Sequence, residues 1–197
     1  MIFNRKKMDE ETKTKKMKKK IDEQMEKKRE LTGYALKISA FVAIMMSLYQ
    51  LYSSGVKMLP QMQHKAIHLA LALALTFMLY PASKKQKNKM PFYDWIFSGL
   101  SLYIGYYLVT NYMDIVYRLG DPTRMDIILG TILILLILEA TRRTMGWALV
   151  VVGLAALGYA FFGHLISGQL GHRAFTFTRV IEHMFLTGEG IYGVAIY

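Results

Sequence analysis

Apolar residues fall in long unbroken runs, and polar residues gather in short intervals between them. The longest run starts at Ile127, is interrupted only by Glu139-Ala-Thr-Arg-Arg-Thr-Met-Gly146, and continues from Trp147 to Ile166. As one helix rising about 1.5 Å per residue it would be roughly 60 Å long. A bilayer hydrocarbon core is about 30 Å thick. The pattern therefore predicts two helices and a tight basic reversal at Arg142-Arg143-Thr144-Met145-Gly146. Three further boundaries come from charge, Pro or Gly, and five spans result: 34–54, 65–80, 92–113, 125–143 and 145–166. Each is near the roughly 20 residues a spanning helix needs. The expected fold is an all-α integral membrane protein.

Beyond the last span, Phe177, Val180, Ile181, Met184 and Phe185 follow i, i+3, i+4, i+7, i+8 spacing and share one helical face. Thr176 or Thr178 can cap the start, and Arg179, Glu182 and His183 are expected on the opposite side. This predicts a short amphipathic helix along the membrane surface. Gly188, Gly190 and Gly193 then break it, and Val194-Ala-Ile-Tyr197 resembles the start of another apolar element that is cut short. The glycines are a weak phosphate-cradle signal, because no Lys-Ser or Lys-Thr follows them.

Composition sharpens the picture. Of 197 residues 53% are hydrophobic, none is cysteine, and the formal net charge is +11. Without cysteine there is no disulfide framework, thiolate metal site or thiol nucleophile. The arm Met1–Gly33 holds twelve Lys or Arg against seven Asp or Glu. Its basic stretch is too long, and the span after it too complete, for a secretory signal. Within Lys13–Arg29 no aromatic residues are interleaved for base stacking, so membrane-surface contact is favoured over nucleic acid. Lys84, Lys85, Lys87 and Lys89 make the second loop basic, as Arg142 and Arg143 make the fourth. The first loop has only Lys57, and the third balances Arg118 and Arg124 against Asp114 and Asp121. Basic loops stay cytoplasmic, which predicts N-in, C-out.

Candidate chemistry is sparse. His64 and His68 lie at i, i+4, a spacing used for haem or metal, but no second pair or intervening Glu accompanies them. Packing histidines are the favoured reading; a small membrane-embedded haem or metal protein is the alternative. Glu139 is an intramembrane acid, by default a functional hypothesis, yet Arg142 and Arg143 at i+3 and i+4 supply local partners. A structural joint of Glu139, Arg142, Arg143 and Gly146 is favoured over an ion-coupling site. Asp94 and Asp126, at span ends, are expected to be interfacial.

Several segments resemble a known family. Arg29-Glu-Leu-Thr-Gly33, Ala66-Ile-His-Leu69 with Leu79-Tyr-Pro-Ala82, Pro91-Phe-Tyr-Asp-Trp95, Leu138-Glu-Ala-Thr-Arg-Arg-Thr-Met-Gly-Trp147 and Leu186-Thr-Gly-Glu-Gly-Ile-Tyr-Gly193 are similar to the fused permeases of TRAP transporters of the TAXI subgroup. The resemblance covers residues 29–197. It implies a secondary importer of small, organic-acid-type solutes in a bacterial or archaeal cytoplasmic membrane. Residues 1–33 would be a cytoplasmic arm and 34–143 the four-helix small membrane part. Residues 144–166 would be a joining helix, and 167–197 the outer helix and the start of the large permease domain. The family's substrate and coupling-ion sites lie in that large domain, so no substrate residue, metal or cofactor is carried over, no enzymatic activity is implied, and this chain alone is not expected to transport. The implied partners are the large domain (fused or separate), an extracytoplasmic solute-binding protein and lipid. Partner contact is expected at Arg118, Asp121, Arg124, Arg173 and Arg179, since mixed rim charges steer association. An anchor subunit that recruits a cytoplasmic partner through its basic arm is a further alternative.

Overall fold

The computed structural model describes Met17 and residues 28–56, 59–83, 86, 87, 89–166, 168 and 171–193. Most of the basic arm, Lys57, Lys84, Lys85 and Val194–Tyr197 lie outside the described residues. Every regular element among the described residues is helical: α1 (Gly33–Gly55), α2 (Gln61–Leu79), α3 (Phe92–Thr110), α4 (Tyr112–Tyr117), α5 (Arg124–Thr144), α6 (Trp147–Phe162) and α7 (Phe177–Leu186), with one 3-10 turn at Gly163–Leu165.

Among the described residues three helices are long and apolar enough to cross a membrane: α1, α2, and α6 with its 3-10 extension to Leu165. At 19 and 21 residues, α3 and α5 have matching length. Their polar side chains Asp94, Ser98, Ser101, Asp126 and Arg143 are buried. The run expected from 92 to 113 breaks at Asn111, where the backbone leaves the helical region before α4 resumes.

The core lies where α2, α3 and α5 meet. Phe77, Ile104, Leu108, Leu129, Leu133 and Leu136 are buried there. In lipid, where apolar surface gains little by association, close approach of small residues holds helices together. The α2–α3 contact follows that rule: a Cβ built on Gly105 would stand 2.4 Å from the Ala70 Cβ. Ser98 Oγ adds a bond across the pair, donating to the Ala74 carbonyl at 3.1 Å.

The expected reversal is present between α5 and α6. Met145 and Gly146 both donate backbone N–H groups to the Thr141 carbonyl, at 2.8 and 3.1 Å. Gly146 then takes φ 92°, ψ −173°, a region open almost only to glycine. Gly146→Ala is expected to cost about 1–3 kcal/mol, read as a lowered melting temperature in detergent. An unchanged transition would mean that the turn relaxes into another geometry.

The amphipathic helix α7 starts where the Thr176 hydroxyl accepts from the Arg179 N–H at 3.3 Å. Its apolar face does not simply rest at a surface. Ile181 and Phe185 sit over Gly130 of α5, where any side chain on that residue would collide with them, and Val180, Phe185 and Leu186 are buried. Phe177, expected on the same face, is 50% exposed. Glu182, expected on the polar side, is buried. Its Oε1 accepts from the Gly120 N–H at 2.7 Å and its Oε2 from Arg179 at 3.1 Å. Thus Glu182 ties α7 to the loop before α5. Tyr192, just beyond α7, is fully buried, which pushes its phenol up from the usual tyrosine range.

Candidate functional site: a buried charge cluster at the reversal

The C-terminus of α2, the N-terminus of α3 and the C-terminus of α5 meet beside the reversal. A helix ends with carbonyls that have no intrahelical donor, and in an apolar setting each needs one. Here arginines from distant parts of the chain supply it. Arg29, just before α1, donates its backbone N–H to the Leu79 carbonyl at 2.7 Å. Its Nη1 reaches the Met78 and Phe77 carbonyls at 3.2 and 3.5 Å. Arg143 Nη1 donates to the Tyr80 carbonyl at 3.1 Å, and both Nη atoms of Arg142 lie 3.4 Å from the Ala82 carbonyl. Cations are also favoured at this end of α2 by the helix dipole.

Guanidinium groups buried in this way need anions. Asp94 is the hub: its Oδ2 accepts from Arg29 Nη2 at 2.5 Å and its Oδ1 from Arg143 Nη1 at 2.7 Å. The side chains of Arg29 and Asp94 are 0% exposed and that of Arg143 is 1% exposed. Glu139 accepts from Arg143 Nε at 2.7 Å and from Arg142 Nε and Nη2 at 2.7 and 2.8 Å. Arg143 also stands over the rings of Phe77, Tyr93 and Phe97, 5.0 to 5.9 Å from their centroids, a cation–π setting. Arg142 lies 5.7 Å from the Trp147 ring. Three arginines against two carboxylates leave one net positive charge when both acids are ionised.

The expected joint thus gathers Glu139, Arg142 and Arg143, while Gly146 makes the turn. Two expectations need correction. Asp94 is buried as the centre of the cluster, not interfacial, because Arg29 and Arg143 replace its water. Asp126 is buried too. Its Oδ1 accepts from Tyr107 Oη at 2.7 Å, its Oδ2 accepts from the Thr123 N–H and hydroxyl at 2.8 and 2.7 Å, and Arg118 lies 3.1 Å away. Together Thr123 and Asp126 form a capping box at the start of α5. The missed residue is Arg29, which the sequence groups with a solvated arm. A carboxylate in the first turn of an apolar span, as in Phe92-Tyr-Asp-Trp95, is the available sign that a buried cation faces it.

The other candidates lie elsewhere. His64 Nδ1 is 3.1 Å from Tyr49 Oη and 2.9 Å from Ser53 Oγ, and His68 Nδ1 meets Gln50 Nε2. Both histidines face α1, and these contacts join it to α2. Among the described residues no group of three His, Asp or Glu side chains could hold a metal ion. Of the five expected partner residues, Arg118 and Arg179 are engaged by Asp126 and Glu182. Asp121, Arg124 and Arg173 are exposed.

Comparison of the chain with protein-family models, curated proteins and solved structures finds no match in any of the three.

Proposed function

We propose that this chain is the scaffold portion of a TRAP-type secondary transporter permease of the TAXI subgroup, embedded in a bacterial or archaeal cytoplasmic membrane. It works with a large permease domain and an extracytoplasmic binding protein to import small, organic-acid-type solutes. One observation carries the reading. Four of the segments that resemble that family contribute to a single buried cluster: Arg29-Glu-Leu-Thr-Gly33 gives Arg29, and Leu79-Tyr-Pro-Ala82 gives the accepting carbonyls. Pro91-Phe-Tyr-Asp-Trp95 gives Asp94, and Leu138–Trp147 gives Glu139, Arg142 and Arg143. Segments scattered over more than a hundred residues thus serve one packing node.

In this reading α1, α2, α3 and α5 form the fixed four-helix part and α6 is the joining helix. The chain crosses the membrane five times, N-in and C-out. A cluster whose three arginines and two carboxylates each take part in an ion pair suits a part that holds still while another domain moves. Both of its carboxylates are held by arginines, Asp94 by Arg29 and Arg143 and Glu139 by Arg142 and Arg143, which favours a structural role over ion coupling.

The absence of native cysteine makes the topology directly testable. Single cysteines at Gly120 and Gly168 are expected to react with a membrane-impermeant maleimide from outside the cell. Those at Ser83 and Met145 are expected to react only after permeabilisation. The opposite labelling would overturn the five-span order. The transport role is tested by reconstituting the chain with a TAXI-type binding protein and radiolabelled organic acids. No uptake is expected unless the large domain is added; uptake by this chain alone would overturn the scaffold assignment.

A further inference from the structure

A second feature lies away from the charge cluster. Along one side of α5 and α6 runs a cavity of about 670 Å3, bordered at the end far from the reversal by α7 and the segment leading into it. Its walls are almost wholly apolar, with Leu138, Gly153, Ala156 and Leu157 among them. The α6 side bordering it runs from Leu149 to Ala160, roughly 16 Å at helical rise. That is about half the roughly 30 Å hydrocarbon core, the depth one acyl chain reaches. Of the residues of α6 itself only Val150 is buried by protein, so this helix depends on another apolar partner.

The charged side chains at the far rim of the cavity are arginines. Arg173, Arg179 and His183 line it, and no Asp or Glu does. Arg179 is paired to Glu182. Arg173 lies 5.9 Å from the centre of the Phe175 ring, and no described carboxylate pairs with it. An apolar slot one acyl chain deep, with an arginine at its mouth, matches the two halves of an anionic phospholipid.

We propose that this cavity binds an anionic phospholipid, with one acyl chain lying between α5 and α6 and the phosphate at Arg173, supported by Arg179. The bound lipid acts as packing for α6 and fixes the segment that enters α7. This goes beyond the scaffold reading, and its failure would leave that reading as it stands.

The test is native mass spectrometry of the full chain in mild detergent. Phosphatidylglycerol and phosphatidylcholine with identical acyl chains are added at equal concentration. Phosphatidylglycerol is expected to be retained as one copy, about tenfold more than phosphatidylcholine, and the double variant R173Q/R179Q to remove that preference. Because the arginine changes could disturb α7, Ala156→Trp provides an independent arm. It fills the slot without touching the rim, and should abolish retention while the melting temperature in lipid-free detergent holds. Equal retention of the two lipids would overturn the proposal, as would retention unaffected by R173Q/R179Q or by Ala156→Trp. Displacement by millimolar inorganic phosphate would indicate an anion site without an acyl chain, and a lipid-free dimer would give the slot to a second copy. Either result also overturns it.

Discussion

Replacing Asp94 with Ala is expected to be the most damaging single change in this chain. It removes the one carboxylate shared by Arg29 and Arg143, whose side chains are 0% and 1% exposed. Removing one partner of a buried ion pair typically costs about 3–5 kcal/mol, because a charge is left without compensation. Here two cations lose their common anion, and among the described residues only Arg143 retains another, Glu139. Asp94→Asn keeps the size and one acceptor oxygen and should lose less. Expression level and thermal unfolding in detergent measure both. The double variant D94A/R29A should recover part of the loss, since it also removes one stranded charge. If D94A melts with the wild type, the cluster is not what holds the ends of α2, α3 and α5 together.

The second large effect is expected at Gly105. A methyl group there would meet the Ala70 Cβ at 2.4 Å and the Ala66 carbonyl at 3.5 Å. The obstacle is another short side chain fixed to helix backbone, so relief requires moving a whole helix. Overpacking of this kind costs about 1–3 kcal/mol for one added methyl, and Gly105→Leu should exceed that. The expected signature is separation of α2 from α3, with loss of the Ser98–Ala74 bond. A cysteine pair across that contact, cross-linked in the parent protein, should fail to cross-link in G105L. Efficient cross-linking in G105L would show that the helices adapt. Gly99 lies on the same helix with open space around it, so Gly99→Ala is the matched control and should leave stability nearly unchanged.

Local spacing made part of this structure legible in advance. The reversal follows from length alone, and the Glu139–Arg142–Arg143 contacts follow from i, i+3 and i, i+4 geometry within one helix. Spacing also makes most of the apolar face of α7 readable, Phe177 apart, and offers Thr176 and Thr178 as caps, of which Thr176 is the one used. The Asp94 contacts were not, because its partners lie 65 and 49 residues away and no local pattern announces them. Placing Asp94 and Asp126 at the interface assumed that a carboxylate near a helix end takes its hydrogen bonds from water. At Asp126 the Thr-x-x-Asp spacing of Thr123 and Asp126 already hinted at a protein donor. Helical angle alone places Glu182 on the solvent side. Its angle could not reveal that the Gly120 N–H would lie 2.7 Å from it.

The order in which the chain is made gives the arginine-capped end of α2 a further meaning. Arg29 is synthesised before any of the groups it binds, and the carbonyls of Phe77, Met78 and Leu79 emerge next. Asp94 follows with α3, and Arg143 comes only at the end of α5. Until Arg143 arrives, one oxygen of Asp94 and the Tyr80 carbonyl lack their final donor. Closure of the bundle therefore waits for its last helix, and a ribosome that stalls before residue 143 leaves an unfinished charged seam. Quality-control proteases that recognise exposed polar groups near the bilayer would have a physical criterion for distinguishing incomplete chains from finished ones.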